Sequence, residues 1–176
     1  MLSDPRQSRI VLINPARSVQ ACAKASARMH TSLALLPDVI DIFSIPVHAT
    51  GEACPDGGPD ELARVIKMIT SEPLSLWQDA TFTPSAGRSE ASVIFLGGAW
   101  LEEEVLIAAL EGVRRGYDIR LLADLSVARL KVDRKLALDR LAMHGVPAMT
   151  LRQALLEWAA YVEDPSVSEL VHRRLA

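Results

Sequence analysis

The sequence has little of what usually announces a compartment or a reaction. Only 2 of its 176 residues are cysteine, Cys22 and Cys54. Two thiols cannot build a disulfide framework or hold a structural zinc alone, so a reducing, cytoplasmic setting is expected. Basic charge is not in excess either: 19 Lys and Arg stand against 22 Asp and Glu, a formal net charge of −3. With no basic block to meet a phosphate backbone, nucleic acid is not an expected partner. No apolar run approaches the ~18–20 residues that span a bilayer, so no membrane partner is expected. Residues 1–9 are polar and lack the apolar stretch of a secretory leader. Aromatic residues make up only 5% of the chain. Gly97-Gly98 has neither G-x-G-x-x-G spacing nor a Walker lysine, and the four histidines stand apart from other ligand types. No cofactor and no metal are therefore expected.

What is present is ordinary globular material, with 49% hydrophobic and 23% charged residues. The length fits a single domain over 1–176, with 165–176 expected as a C-terminal helical extension. Ile10-Val11-Leu12-Ile13, ended by Asn14-Pro15, reads as a strand buried on both faces. Residues 16–36 read as a helix stopped near Pro37, residues 39–43 as a further turn or two, and 45–49 as a short strand. Residues 51–59 form the most loop-like stretch. Asp60 is an N-cap for a helix over 61–69, with Leu62, Val65, Ile66 and Ile69 at helical spacing. Residues 73–78 are the third-strand candidate and 81–90 a loop.

The second half is plainer. Residues 91–96 read as a buried strand left by a Gly97-Gly98 turn. A helix over 101–115 follows, with Glu102, Glu103 and Glu104 in its first turn and Arg114 and Arg115 in its last, an order that complements the helix dipole. Gly116 is its stop. Strands over 117–123 and 146–150 alternate with helices over 133–143, 151–162 and 168–175. This alternation predicts an α/β chain, a three-layer α/β/α sandwich around a mainly parallel sheet. Ligands in such folds bind outside the carboxyl ends of the strands. The exits to inspect are Asn14 and residues 50–58, 78–82, 97–104 and 124–129.

An ordered set of short motifs lies on these elements. It runs Val93-Ile94-Phe95-Leu96-Gly97-Gly98-Ala99-Trp100, Glu104-Val105, Arg115-Gly116-Tyr117-Asp118, Leu121-Leu122-Ala123-Asp124, Leu138-Asp139-Arg140-Leu141-Ala142 and Gly145-Val146. With Ile10 to Asn14 as an opening strand and Ser44-Ile45-Pro46-Val47 as a second, the chain resembles the isochorismatase-like cysteine hydrolases. The resemblance implies that family's sheet and, commonly, a homo-oligomer. It also implies where the family's catalytic residues would fall. The nucleophilic Cys position, 6 residues after Gly98 and 12 before Gly116, is Glu104. The general-base Asp position is Asn14. The cation position at the third-strand exit lies among Trp77, Gln78 and Asp79, with Gln78 central.

The chemistry turns on those replacements. A thiol at a helix N-terminus has a lowered pKa and attacks carbonyls as a thiolate, with backbone N–H groups holding the oxyanion. Glu104 is a good first-turn helix residue but a poor nucleophile, and Asn14 cannot take a proton at neutral pH. Trp77, Phe82, Gly98, Trp100, His48 and Cys54 are the pocket candidates, with Trp100 placed to fill substrate space. Cys54 is on a loop at the same rim, yet nothing nearby supplies a base or cation, so an incidental thiol is expected. Cys22 reads as a small core residue, His48 as a structural histidine and Asp124 as a cap for the following turn. The expected function is therefore a hydrolase fold without the Asp/Lys/Cys triad, acting as a binding or oligomeric assembly protein with a small-molecule ligand. The alternative is an active hydrolase of amides, carbamoyl compounds or vinyl ethers working through Glu104 or Cys54.

Overall fold

A computed structural model of the chain describes residues 2–22, 27–52, 66–80, 82 and 92–176. In order, the elements are β1 (Ser8–Ile13), α1 (Pro15–Cys22), α2 (Ala27–Leu33), α3 (Leu36–Phe43), β2 (Val47–Thr50) and β3 (Ile66–Met68). A 3-10 turn (Pro73–Gln78), β4 (Val93–Ala99), a π-type turn (Leu101–Val105), α4 (Leu106–Arg114) and β5 (Asp118–Val127) follow. The chain closes with α5 (Lys131–Met143), β6 (Ala148–Met149), α6 (Leu151–Val162) and α7 (Pro165–Leu175).

The strands form one sheet of order β3-β2-β1-β4-β5-β6, and every pairing is parallel. Helices α2, α3, α6 and α7 cover one face, with Met29, Leu36, Val39, Leu155, Trp158 and Val171 packed on Ile10, Leu12 and Phe95. The π-type turn, α4, α5 and the 3-10 turn cover the other, through Val105, Ala109, Leu141 and Trp77 on Val11, Ile13, Ile94 and Leu96. The three-layer sandwich is therefore as the alternation predicts. Consecutive residues of β1 feed opposite cores, which is why its aliphatics run without polar interruption.

Three expectations need correction. Residues 73–78 are not a strand: Pro73 opens a 3-10 turn, and Leu76 and Trp77 are buried side by side, without the period of a strand. The third strand is Ile66–Met68, where a helix was expected, while residues 61–65 lie outside the described set. As the sheet's edge strand it exposes Lys67 and Met68, so it carries no apolar alternation to read. Finally, Gly97 and Gly98 lie inside β4 instead of turning out of it. Gly98 has φ 124°, and a Cβ there would stand 2.0 Å from the Ile13 carbonyl oxygen, so glycine lets β4 press against β1.

Smaller differences have local causes. Pro37 sits in the first turn of α3 and starts that helix, where its missing N–H is harmless. Strand β5 runs to Val127 because its ladder skips from Leu96–Leu121 to Gly98–Ser126, leaving residues 122–125 opposite Gly97 alone. Helix α6 begins at a capping box of Thr150 and Gln153.

Candidate functional site

Along this strand order the crossovers change direction at the β1–β4 pair, the place where a crevice opens in such sheets. Asn14 ends β1 there, only 1% exposed and at φ 48°. Its Nδ2 donates to the Ala99 carbonyl at 2.9 Å, and its Oδ1 accepts from the Glu52 N–H at 3.0 Å. The amide thus ties the ends of β1 and β4 to the loop after β2. Gly51 closes against it: at φ 81°, a Cβ there would meet the Asn14 Oδ1 at 2.1 Å. Glu104 approaches from the π-type turn. Its Oε1 accepts from the Arg17 guanidinium at 2.9 Å, and its Oε2 lies 3.4 Å from the Trp100 N–H.

Arg17 is the hub. From the first turn of α1, its Nε and one terminal nitrogen donate to Glu52 Oε1 at 2.8 and 2.6 Å, while the other reaches Glu104. Glu52, as the chief hydrogen-bond acceptor, raises the Arg17 pKa, and Arg17 lowers the Glu52 carboxyl in return. Asn14, Arg17, Glu52 and Glu104 line a cleft of about 290 Å3 together with Thr70, Ser71 and Glu72 at the β3 exit. The Thr50 hydroxyl donates to the Ser71 carbonyl, fastening β2 to that exit.

The other predicted residues fall elsewhere. Trp77 is buried, donates from Nε1 to the Ala108 carbonyl at 2.9 Å and stacks on Tyr117 at 5.0 Å. Phe82 sits 5.7 Å from the Trp77 ring and 5.9 Å from His48, so the three form an aromatic cluster on the α4 face. Burial, then the charges of Arg9 and Lys67, push the His48 pKa down to about 4, which fits a structural ring. Gln78 is exposed at the end of the 3-10 turn, and with the third strand at 66–68 it no longer marks that strand's exit. Gly98 packs against the Ile13 backbone within the sheet and does not line the cleft. The Trp100 ring lies under the Arg129 guanidinium at 4.9 Å and does not line the cleft. Arg129 also binds Glu103 at 3.0 Å, and its N–H donates to Glu102 at 2.8 Å. The three glutamates therefore divide between two arginines, Glu102 and Glu103 on Arg129 and Glu104 on Arg17. Cys54 lies outside the described residues, as does the side chain of Cys22. Asp124 accepts from the Leu151 N–H at 3.0 Å and from the Ser32 hydroxyl at 2.6 Å, so it caps α6. Among the described residues there is no group of three or more His, Cys, Asp or Glu able to hold a metal.

No family model matches the chain. Isochorismatase domain-containing protein 1 of Danio rerio is 26% identical over 176 residues, covering 90% of this chain and 61% of that protein. The chain thus spans under two thirds of that relative's length. Its fold superposes on the YcaC gene product of Escherichia coli, described as an octameric hydrolase of unknown specificity. The TM-score is 0.77 at 17% identity, over 99% of this chain and 90% of that one. An isochorismatase from Pseudomonas putida KT2440 superposes with TM-score 0.66 at 11% identity, over 87% and 92% of the two chains.

The chain has an isochorismatase-like fold.

Within this isochorismatase-like sheet, sequence reasoning had singled out Asn14 and Glu104, and the structure brings both to one cleft. It had missed Arg17 and the 70–72 segment, and had marked Glu52 only as part of the 50–58 exit. A usable signal for Arg17 was its place three residues after Asn14, in the first turn of the helix that leaves β1. The β3 exit had no such signal, because the strand before it is an exposed edge.

Proposed function

We propose that this isochorismatase-like chain has lost the cysteine-hydrolase reaction and acts as a binding protein that assembles with copies of itself. The cleft at the β1–β4 exit takes a small polar molecule. The observation that carries this reading is the closed set of bonds around Asn14 and Glu104. The Asn14 amide has its donor on the Ala99 carbonyl and its acceptor on the Glu52 N–H, so it has no role left in moving a proton. Glu104 faces a guanidinium at 2.9 Å, which draws its charge away from any attack on a carbonyl. Arg17 takes the place of a third-strand cation, and its charge is held by two carboxylates. Self-assembly is supported by the octameric state of the YcaC hydrolase that shares the fold. A reducing, cytoplasmic setting without nucleic-acid or membrane partners fits the balanced charge, and no described helix is long and apolar enough to cross a membrane.

A second reading, an active hydrolase with altered chemistry, rests on Glu104 standing in the wall of the cleft. Incubating the protein with amides, ureas, N-carbamoyl compounds and isochorismate separates the two. The binding-protein reading expects no turnover above a heat-denatured control. Turnover that disappears in Glu104→Gln or Cys54→Ser establishes the second reading instead.

A further inference from the structure

Helix α5 is apolar on two sides. Ala137 and Leu141 face the sheet and are buried. On the far side Val132, Leu136 and Met143 are 73%, 68% and 79% exposed, with Leu130 just before the helix at 56%. At 3.6 residues per turn, Val132, Leu136 and Met143 fall within an arc of roughly 40°, about 140° round from Ala137 and Leu141. A surface helix ordinarily turns a charged face outward, and one that is apolar on both sides is covered on both. The charges along this stripe say by what. Asp133 and Arg140 flank it on one side, Lys135 and Asp139 on the other.

We propose that α5 is a self-association surface, packing antiparallel against α5 of a second copy about a two-fold axis near Leu136 and Ala137. In that arrangement Leu136 meets Leu136 of the second copy, and Met143 lies over Leu130 and Val132 of the second copy. On one flank Asp133 faces Arg140, and on the other Lys135 faces Asp139. Both pairings are opposite in charge and share nearly the same centre, and an isologous interface requires such self-complementarity. The Lys135–Asp139 pair, 2.5 Å apart within the helix, becomes part of a four-charge cluster across the axis. Asp133 and Arg140 are seven residues apart, about 10 Å along one helix, so they meet only between copies.

The test is the solution mass of the purified full chain at micromolar concentration, by sedimentation or light scattering. Leu136→Glu is expected to halve the mass or lower it further, with the far-UV circular dichroism and cooperative unfolding of the wild type. Asp133→Arg is expected to weaken association about tenfold by facing arginine with arginine. The double exchange Asp133→Arg with Arg140→Asp is expected to restore it, which no effect on folding alone would do. A monomeric wild type, an unchanged mass for Leu136→Glu, or a double exchange as dissociated as the single one overturns the proposal. None of these outcomes depends on whether the cleft is catalytic.

Discussion

Two polar side chains stand towards the C-terminal ends of parallel strands, Asn14 just after β1 and Asp124 in the irregular part of β5, and they are solved differently. In the irregular stretch of β5, three residues before that strand ends, Asp124 meets donors only, the Leu151 N–H at 3.0 Å and the Ser32 hydroxyl at 2.6 Å. At the end of β1, Asn14 meets one acceptor, the Ala99 carbonyl, and one donor, the Glu52 N–H. A carboxylate suits the first setting and an amide the second. The identity of each residue thus follows from the donors and acceptors that converge on it. That is a structural explanation for an asparagine at a position where the family resemblance leads one to expect a general base.

The comparison can be broken most severely at Gly98. Gly98→Ala would drive a methyl group into the Ile13 backbone at positive φ, and should destabilise the fold by roughly 3 kcal/mol or more in chemical denaturation. Its signature would be loss of protection at the Ala99 end of β4 in hydrogen exchange, with the Asp124–Leu151 contact spared. At the second position, Asp124→Ala removes the acceptor of the Leu151 N–H and should cost about 2 kcal/mol. Asp124→Asn should cost about 1 kcal/mol or less, because its oxygen still serves Leu151 and the Ser32 hydroxyl can turn to accept. If Asp124→Asn proves as harmful as Asp124→Ala, charge matters there more than hydrogen-bond pattern. The mildest expected change is Arg17→Ala. It unpairs Glu52 and Glu104 in a partly solvated cleft and should lower stability by roughly 0.5–1 kcal/mol, less at high salt.

How much of this could be read from the residues follows from burial. Strands β1 and β4 were legible because both of their faces are covered, so Ile10 to Ile13 and Val93 to Leu96 run apolar without interruption. Strand β3 was not, since Lys67 and Met68 face solvent and nothing in Ile66–Met68 repeats with period two. Gly97-Gly98 gave the right signal with the wrong interpretation: two glycines mark a turn or a close approach, and only the neighbouring strand decides between them. At the site, counting along the motifs located Asn14 and Glu104, but it could not show that Arg17 binds Glu104. That contact joins residues 87 apart in the chain. Asp124 was expected to cap the turn that follows it, but its partners are remote, the Leu151 N–H 27 residues on and the Ser32 hydroxyl on α2.

The most direct test of the central claim is the pH dependence of unfolding for Asn14→Asp beside the wild type. A carboxylate there would face the Ala99 carbonyl, which has no proton to give, so burial and that oxygen raise the pKa of the new group in the folded state. A raised folded pKa means stability held while the carboxyl is protonated and lost as pH rises above the unfolded value, about 3.9. The variant should therefore match the wild type near pH 4 and fall about 2 kcal/mol below it at neutral pH. An Asn14→Asp protein as stable as the wild type at pH 7 would show that this exit accepts an ionised base, and would contradict the account.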